Sequence, residues 1–509
     1  MARYLAAIDA GTGGCRTIIF DENGAEIALA YREYSIFQPS PTGVEQNADE
    51  WWTAVCRTSR EAIKKSRINT KDIAGISVTN QRETIVPVDK KGAPLRNAIV
   101  WQDRRAVGEC DWLRSNVSAD TIYRTTGLAI DPYFSLPKIM WVRKHERKTF
   151  DRAHKFLLVH DFIIHKLCGE FATDWSNASR TMLFDINKFA WSEKISELTK
   201  MPLEKMPDAK PSGTFAGEIL KQSARVTGFA GGTPVIIGGG DQQCAALGVG
   251  VVEKGQVKAT TGTGTFILAH LEKPLREPKR RLLCSCHVVP KKWVFEASIF
   301  TTGVVYRWFR DNLAQGEIRE AKMRGIDTYE LINKLVQSAP IGSNGLLLLP
   351  HFVGAGAPYW NPDARGVLFG LTLKHRREDI ARAIVEGVCF EISKNLEIME
   401  QLGIKIDELR ITGGATRSPV WNQIQADVYG KPVVRGTSGE ATALGAAMLA
   451  GLGSGIHRDV KEACKNMLKV ERRWVPDKNA HKKYSRMLVL HKKLYDTIEP
   501  MYEKIAEWA

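Results

Sequence analysis

The sequence lacks any apolar run long enough to cross a membrane, so no membrane association is expected. Its nine cysteines are scattered singly apart from Cys284 and Cys286, and an odd number without regular spacing argues against a disulfide framework. His287 follows that pair, but a zinc site would need a second pair of ligands, so a metal centre there is a minor alternative. The first residues lack the layout of a signal peptide. We therefore expect a cytoplasmic protein in a reducing compartment.

Basic side chains are in excess but lack the clustering that is typical of nucleic-acid binding. The 72 lysines and arginines outnumber the 57 aspartates and glutamates, which gives a net charge of +15. They are spread in short groups such as 279–281, 375–377 and 482–483, without interleaved aromatic residues. This pattern favours a solvated positive surface that attracts anionic substrates such as nucleotides, and no nucleic-acid partner is expected. A chain of 509 residues is too long for a single hydrophobic core, so two large domains are expected.

The first chemical motif is a glycine-rich turn near the N-terminus, in the stretch AIDAGTGGCR (7–16). An apolar run ends at Asp9 and another begins after Arg16, which indicates a turn between two buried strands. Backbone N–H groups in such a turn bind an anion, Gly13 allows close approach, and Thr12 and Arg16 add donors. Asp9 suits Mg²⁺ rather than the phosphate itself. An ordinary hairpin turn is the alternative interpretation of this stretch alone.

The second half of the chain repeats this pattern. A strand-like run (256–260), a turn rich in threonine and glycine (261–265) and a second apolar run (266–269) follow one another. Two hairpins of phosphate-binding type, each opening one half, suggest two domains of like design around one nucleotide. Strands that alternate with helical stretches make both domains α/β. We expect the domain boundary between residues 247 and 248, which gives domains 1–247 and 248–509.

Three further loops follow predicted strands and end in polar groups. TNQRET (79–84) contains Arg82 and Glu83, GGGDQQ (238–243) contains Asp241, and ITGGATRSPVWNQ (411–423) contains a glycine pair. In open α/β sheets, ligands bind beyond the carboxyl ends of the strands. Asp241 is therefore the candidate general base that takes a proton from an attacking hydroxyl. Taken singly, each loop is also explained as a turn with a solvated charge.

Longer stretches resemble the FGGY family of carbohydrate kinases over essentially the whole chain. YFSLPKIMW (133–141) is similar to the N-terminal signature of that family, and GGATRSPVWNQIQADVYGKPV (413–433) with EATALGAAMLAG (440–451) is similar to its C-terminal signature. The resemblance implies two actin-like, ribonuclease-H-like domains with a cleft between them. It also implies transfer of the γ-phosphoryl group of ATP, with Mg²⁺, to a hydroxyl of a small sugar or polyol in that cleft.

Within the family, the segments that resemble glycerol kinases are TNQRET (79–84), NAIVWQDRR (97–105), TTGLAIDPYFS (125–135), SNASRTMLFDI (176–186) and GDQQCAAL (240–247). The resemblance implies a pocket in which polar side chains bind the hydroxyls of glycerol and aromatic side chains cover its carbon atoms. The polar residues are Arg82, Glu83, Tyr133, Asp241 and Gln242, and the aromatic ones are Trp101 and Phe266. The nucleotide residues that the resemblance implies are Thr12, Gly13, Arg16, Gly262, Thr263, Gly303, Arg307, Gly414 and Ser418.

Two features depart from glycerol kinases. The opening loop lacks their Gly-Thr-Thr-Ser run, and Ser418 replaces an asparagine that is frequent in them. The opening loop and the segment 287–345 look more like autoinducer-2 kinases of the same family. Other acceptors therefore stay open: xylulose or another pentulose, erythritol, or an autoinducer-2-type substrate. An actin-like ATPase that is not a kinase also stays open. The sequence also leaves a homodimer open.

Overall fold

In the computed structural model, which describes residues 3–508, each half of the chain is built around a mixed β-sheet. The strands of the first half are β1 (Tyr4–Ala10), β2 (Gly14–Asp21), β3 (Glu26–Glu33), β4 (Phe37–Ser40), β5 (Gly43–Gln46), β6 (Ile73–Asn80), β7 (Ile85–Val88), β8 (Ala98–Ile99), β9 (Lys155–Leu158), β10 (Ala172–Asp174), β11 (Phe184–Asp185), β12 (Ala190–Trp191), β13 (Asp208–Lys210), β14 (Phe215–Glu218) and β15 (Pro234–Gly240). Its helices are α1 (Ala48–Ser66), α2 (Val107–Asn116), α3 (Ala119–Thr126), α4 (Ser135–His145), α5 (Arg147–Arg152), α6 (Val159–Cys168), α7 (Trp175–Ala178), α8 (Glu193–Thr199), α9 (Lys221–Thr227) and α10 (Asp241–Gly248).

The second half has fewer strands and longer helices. Its strands are β16 (Gly255–Thr261), β17 (Thr265–Leu271), β18 (Leu283–Cys286), β19 (Trp293–Ile299), β20 (Leu347–Leu349), β21 (Val367–Phe369), β22 (Ile406–Thr412), β23 (Val433–Gly436) and β24 (Val470–Trp474). Its helices are α11 (Gly303–Leu313), α12 (Gln315–Arg324), α13 (Thr328–Ser338), α14 (Arg377–Gln401), α15 (Pro419–Tyr429), α16 (Ala441–Gly453), α17 (Val460–Met467) and α18 (Lys478–Ala506).

The two main sheets share one strand pattern. The strand order is β14-β15-β6-β1-β2-β3 in the first and β18-β19-β17-β16-β22-β23-β24 in the second. Strand β1 pairs antiparallel with β2 and parallel with β6, and β16 pairs in the same way with β17 and β22. The parallel strands read as near-continuous apolar runs because helices cover both faces of such sheets. The predicted α/β fold with two domains of like design is confirmed.

Helix α16 belongs to the second half of the chain but packs on the first sheet. It contacts α10 on one side and β1, β6 and β15 on the other, which explains why its sequence, ATALGAAMLAGLG, is apolar all round. A Cβ on Gly445 would lie 1.9 Å from the carbonyl oxygen of Cys244, and one on Gly248 would lie 1.8 Å from that of Ala441. The two helices therefore pack backbone to backbone where the two halves of the chain meet.

The predicted domain boundary between residues 247 and 248 falls at the C-terminal end of α10, and it stays a prediction. Among residues 3–508, every helix is too short or too polar to span a bilayer.

Candidate active site

The loop between β6 and β7 holds two charged side chains at the carboxyl end of a central strand. Arg82 and Glu83 are 3% and 1% exposed, respectively. Glu83 has a φ of 64°, in the left-handed region that side-chain-bearing residues rarely adopt, so the surrounding contacts must hold it there. One such contact is the hydroxyl of Ser135, at the start of α4, which donates to the Glu83 carbonyl oxygen at 3.0 Å.

A carboxylate from the second domain orients Arg82. Nη1 and Nη2 of Arg82 donate to the two oxygens of Glu296, on β19, at 2.9 and 2.8 Å, and Nη1 also donates to Gln243 at 3.2 Å. These contacts use both protons of Nη1 and one of Nη2, so the Nε–H and the second Nη2 proton remain for a ligand. We call these two groups the donor edge. Nε lies 3.4 Å from Oδ1 of Asp241, which puts the donor edge beside the candidate base.

Behind the donor edge, four buried charges alternate in sign: Arg82, Glu296, Arg180 and Glu83. Arg180 donates through Nε to Glu83 at 2.5 Å and through Nη1 to Glu296 at 3.3 Å. Burial by itself would raise the pKa of Glu296, but Arg180 and Arg82 outweigh burial and lower that pKa to about 2. For Glu83, burial outweighs the effects of Arg180 and Arg82, and the pKa is raised. Glu296 therefore accepts hydrogen bonds from both arginines as an anion.

An aromatic wall, formed by Trp101 and Tyr133, stands beside these charges. The two rings meet edge to face with their centroids 5.6 Å apart, and the guanidinium carbon of Arg180 lies 5.7 Å from the centre of the Tyr133 ring. Nε1 of Trp101 donates to Oγ1 of Thr12 at 2.9 Å. This bond joins the aromatic wall to the first glycine-rich hairpin, so the predicted acceptor and phosphate subsites are neighbours.

Asp241 is the first residue of α10, and its side chain is 30% exposed. Its Oδ1 accepts the N–H of Gln242 at 2.7 Å. Nζ of Lys258, a buried residue of β16, donates to the side-chain oxygen of Gln242 at 2.7 Å and to its carbonyl oxygen at 3.2 Å. Burial lowers the pKa of Lys258 to about 7, although Asp241 and Glu296 oppose this effect. Phe266, on β17, packs against a small apolar cluster that includes a residue of α10.

Asp9 and Arg16 lie on the two strands of the first hairpin. Nε of Arg16 is 3.6 Å from Oδ2 of Asp9, and Arg16 also forms an ion pair with Glu440, just before α16. Burial raises the pKa of Asp9 to about 7 against the effect of Arg16, and Asp241 and Glu440 raise it further. A divalent cation favours the ionised form of a carboxylate, so a cation bound at Asp9 would lower this pKa. Within residues 3–508, no group of three or more histidine, cysteine, aspartate or glutamate side chains is arranged to hold a metal ion.

The predicted nucleotide residues fall into two groups. Six of them line one cavity of about 440 Å³ in the second domain, which we call the nucleotide cavity. They are Gly262, Thr263, Gly303, Arg307, Gly414 and Ser418. A Cβ on Gly303 would lie 2.2 Å from the carbonyl oxygen of Gly262, so glycine is needed where α11 begins against the second hairpin. The other three, Thr12, Gly13 and Arg16, lie on the first hairpin.

Two family models match successive parts of the chain. The model of the N-terminal domain of the FGGY family of carbohydrate kinases matches residues 4–248, and that of the C-terminal domain matches residues 257–454. The chain belongs to the FGGY family of carbohydrate kinases.

Known proteins resemble this FGGY kinase over nearly its whole length. Glycerol kinase 2 of Saccharolobus solfataricus is 38% identical over 496 residues, which cover 95% of each chain. The crystal structure of xylulose kinase from Rhodospirillum rubrum matches with a TM-score of 0.89 at 26% identity and covers 98% of this chain and 100% of that one. The crystal structure of Plasmodium falciparum glycerol kinase with ADP matches with a TM-score of 0.85 at 26% identity. That match covers 97% of this chain and 98% of the other. The protein is therefore a phosphotransferase that uses ATP and a small sugar or polyol.

Sequence reasoning missed four polar residues of the candidate site of this FGGY kinase. Glu296 contacts Arg82, Arg180 contacts Glu83, Lys258 contacts Gln242, and Asn333 lines the nucleotide cavity. Glu296 and Lys258 each stand as the one charge in a buried strand, WVFEASI and GQVKATT. A buried charge requires a partner, so this isolation was a signal that each residue is paired. The identity of the partners was not readable, because they lie in other elements of the chain.

Proposed function

We propose that this kinase transfers the γ-phosphoryl group of ATP to a terminal hydroxyl of glycerol, which yields sn-glycerol 3-phosphate and ADP. The observation that carries the proposal is the donor edge of Arg82 next to the carboxylate of Asp241. A small triol offers only hydroxyls and a short carbon edge, so charged groups must supply the affinity and an aromatic wall must cover the carbons. The relative named glycerol kinase 2 supports this choice of acceptor.

In the proposed reaction, Asp241 takes the proton of the attacking hydroxyl. The hydroxyl oxygen forms a bond to the γ-phosphorus, the bond from that phosphorus to the bridging oxygen breaks, and its electron pair leaves on ADP. Oδ1 of Asp241 already accepts the N–H of Gln242, so Oδ2 is the oxygen available for the proton. Arg82, Glu83 and Tyr133 bind the other hydroxyls, and Trp101 and Phe266 cover the carbon atoms.

The nucleotide binds between the two hairpins in this proposal. Backbone N–H groups around Thr12 and Thr263 bind the phosphates, and Arg16 adds a cation. Mg²⁺, when bound, neutralises charge on the phosphates, and Asp9 is the residue that would hold it. Because Arg16 is paired with Glu440 and Asp9, phosphate binding must compete with these carboxylates.

A kinase of xylulose or another pentulose is the alternative, and the likeness to the R. rubrum xylulose kinase favours it. The test is coupled ADP release with glycerol, erythritol, D-xylulose, D-ribulose and dihydroxypentanedione as acceptors. We expect glycerol to lead by about a hundredfold in kcat/KM, roughly 3 kcal/mol of transition-state discrimination. A leading pentulose would overturn the glycerol proposal and leave the kinase assignment intact.

Asp241→Asn tests the general base separately. The amide keeps the size of the side chain but accepts no proton, so we expect kcat to fall by about 10²–10⁴-fold. Affinity for ADP should stay close to that of the unmodified protein. Asp311→Asn, at an exposed position on α11, is the matched control and should keep full activity. Full activity of Asp241→Asn would contradict the assignment.

We also propose that the kinase works in the cytoplasm, without a nucleic-acid partner, and that it forms a homodimer. All nine cysteines are free thiols, which supports a reducing compartment. Sedimentation velocity tests the oligomeric state, and a single monomeric species at micromolar concentration would contradict the dimer.

A further inference from the structure

One end of the nucleotide cavity carries an asparagine that the proposed function has not used. Asn333, on α13, lines this cavity together with three aromatic residues, Tyr306, Tyr329 and Trp421. Tyr306 and Tyr329 stack with their ring centroids 5.5 Å apart, and Trp421 meets Tyr306 edge to face at 5.1 Å. The phosphate-type hairpin lines the same cavity. Flat aromatic side chains pack well against a nucleotide base, so we expect the base to bind at the end of the cavity that these rings line. Asn333 lies at this end.

Ser418, the neighbour of Asn333, has no hydrogen-bond donor left for a ligand. Its hydroxyl oxygen caps α15 by accepting the N–H of Trp421 at 3.2 Å. The hydroxyl proton is donated to Oδ1 of Asn333 at 2.8 Å. A serine hydroxyl carries a single proton, so this residue cannot also donate to a nucleotide base.

In the structure, the amide of Asn333 turns its oxygen toward two hydroxyl groups. Besides the hydroxyl of Ser418, its Oδ1 accepts the hydroxyl of Tyr306 at 3.0 Å. Two donors fill the two lone pairs of the amide oxygen. The Nδ2 group therefore supplies the free N–H donors of this side chain, which is half-buried at the cavity surface.

We propose that Asn333 contacts the nucleotide base by donating from Nδ2 to a ring-nitrogen acceptor of a purine, and that Ser418 and Tyr306 act as positioning residues for this amide. The inference rests on the nucleotide-dependent kinase activity and identifies the group that recognises the base. It assigns the direct contact to a residue of α13 rather than to Ser418. The ring-nitrogen acceptor contributes affinity that a base without it loses.

Asn333→Asp tests the proposal with a nearly isosteric change. A carboxylate still accepts the hydroxyls of Ser418 and Tyr306 but presents an acceptor to the base in place of the Nδ2 donor. Opposing a ring nitrogen with an acceptor leaves both groups unpaired, so we expect the KM for ATP and the Kd for ADP to rise about tenfold or more. The melting temperature and the acceptor KM should stay unchanged. Lys334→Ala, at the next and exposed position of α13, is the control and should leave nucleotide binding unchanged.

A second measurement identifies the atom that is contacted. The affinities of the unmodified protein and of Asn333→Ala are compared for ADP and for its 1-deaza, 3-deaza and 7-deaza analogues. We expect the unmodified protein to lose affinity with one of the three analogues, and Asn333→Ala to bind that analogue and ADP equally. Equal loss in both proteins, or an unchanged Kd for ADP in Asn333→Asp, would overturn the proposal. These titrations contain no acceptor, so their outcome is independent of whether glycerol is the acceptor.

Discussion

Replacing Glu296 with glutamine tests whether the second domain orients Arg82 for the binding of the acceptor that we propose. The carboxylate accepts two hydrogen bonds from Arg82 and one from Arg180, and all three side chains are buried. In Glu296→Gln, the two arginines keep only one carboxylate of the buried quartet, Glu83. Breaking a buried ion pair by removing one partner costs about 3–5 kcal/mol. At roughly 2–4 °C per kcal/mol for a large domain, the melting temperature should fall by about 10 °C.

The kinetic consequence follows from the position of Arg82. Its Nε already lies 3.4 Å from Oδ1 of Asp241, so a guanidinium released from Glu296 turns toward that carboxylate. A tighter pair between Arg82 and Asp241 removes the donor edge from the acceptor and occupies the carboxylate that must receive the proton. We expect the acceptor KM to rise about tenfold and kcat to fall, with the ATP KM changed by less than about twofold. Coupled ADP release at varied acceptor concentration measures this difference.

The ion pairs of Glu296 with Arg82 and Arg180 predict that the stability of the protein depends on pH. The pKa of Glu296 is lowered from 4.5 to about 2, so its ion pairs contribute stability above pH 4.5 and lose it as the pH falls toward 2. The shift corresponds to about 3 kcal/mol. The difference in melting temperature between the unmodified protein and Glu296→Gln should therefore shrink across this pH range.

Glu391→Gln is the matched control, because Glu391 is equally buried in the second domain and pairs with Lys394 at 2.7 Å on α14. We expect this change to lower the melting temperature and to leave the acceptor KM unchanged. If Glu296→Gln behaved in the same way, with a normal acceptor KM, Glu296 would be a purely structural residue and the reasoning would be refuted.

Two further predictions concern single residues. Arg82→Ala removes the donor edge, so the acceptor KM should rise at least about tenfold, since a hydrogen bond to a charged group contributes roughly 1.5–3 kcal/mol; an unchanged acceptor KM would contradict the pocket assignment. Gly445→Ala brings a Cβ to 1.9 Å from the carbonyl oxygen of Cys244, so α10 and α16 must separate at a cost of about 1–3 kcal/mol. We expect a lower melting temperature and a lower kcat, because Asp241 begins α10, whereas Gly108→Ala, which meets no atom within 4 Å, should change neither.

The fold class and the family could be predicted from the sequence alone. The first hairpin was predictable because an apolar run, a glycine-rich turn and a second apolar run are adjacent in the chain. The residues predicted for the nucleotide in the second half line one cavity, because the loop and helix segments that contain them follow strands of the same sheet. Their roles in binding, like those of the acceptor residues, stay predictions.

Which polar and charged side chains meet depends on the tertiary structure. Arg82 and Glu296 are 214 residues apart, and Ser418 and Asn333 are 85 apart, so no local pattern relates them. The isolated charges in β16 and β19 indicated that partners exist, but the packing of two domains selects those partners. The donor edge of Arg82 is left over because Glu296 of the other domain and Gln243 occupy the rest of the guanidinium. This arrangement depends on the docking of two domains rather than on any one strand.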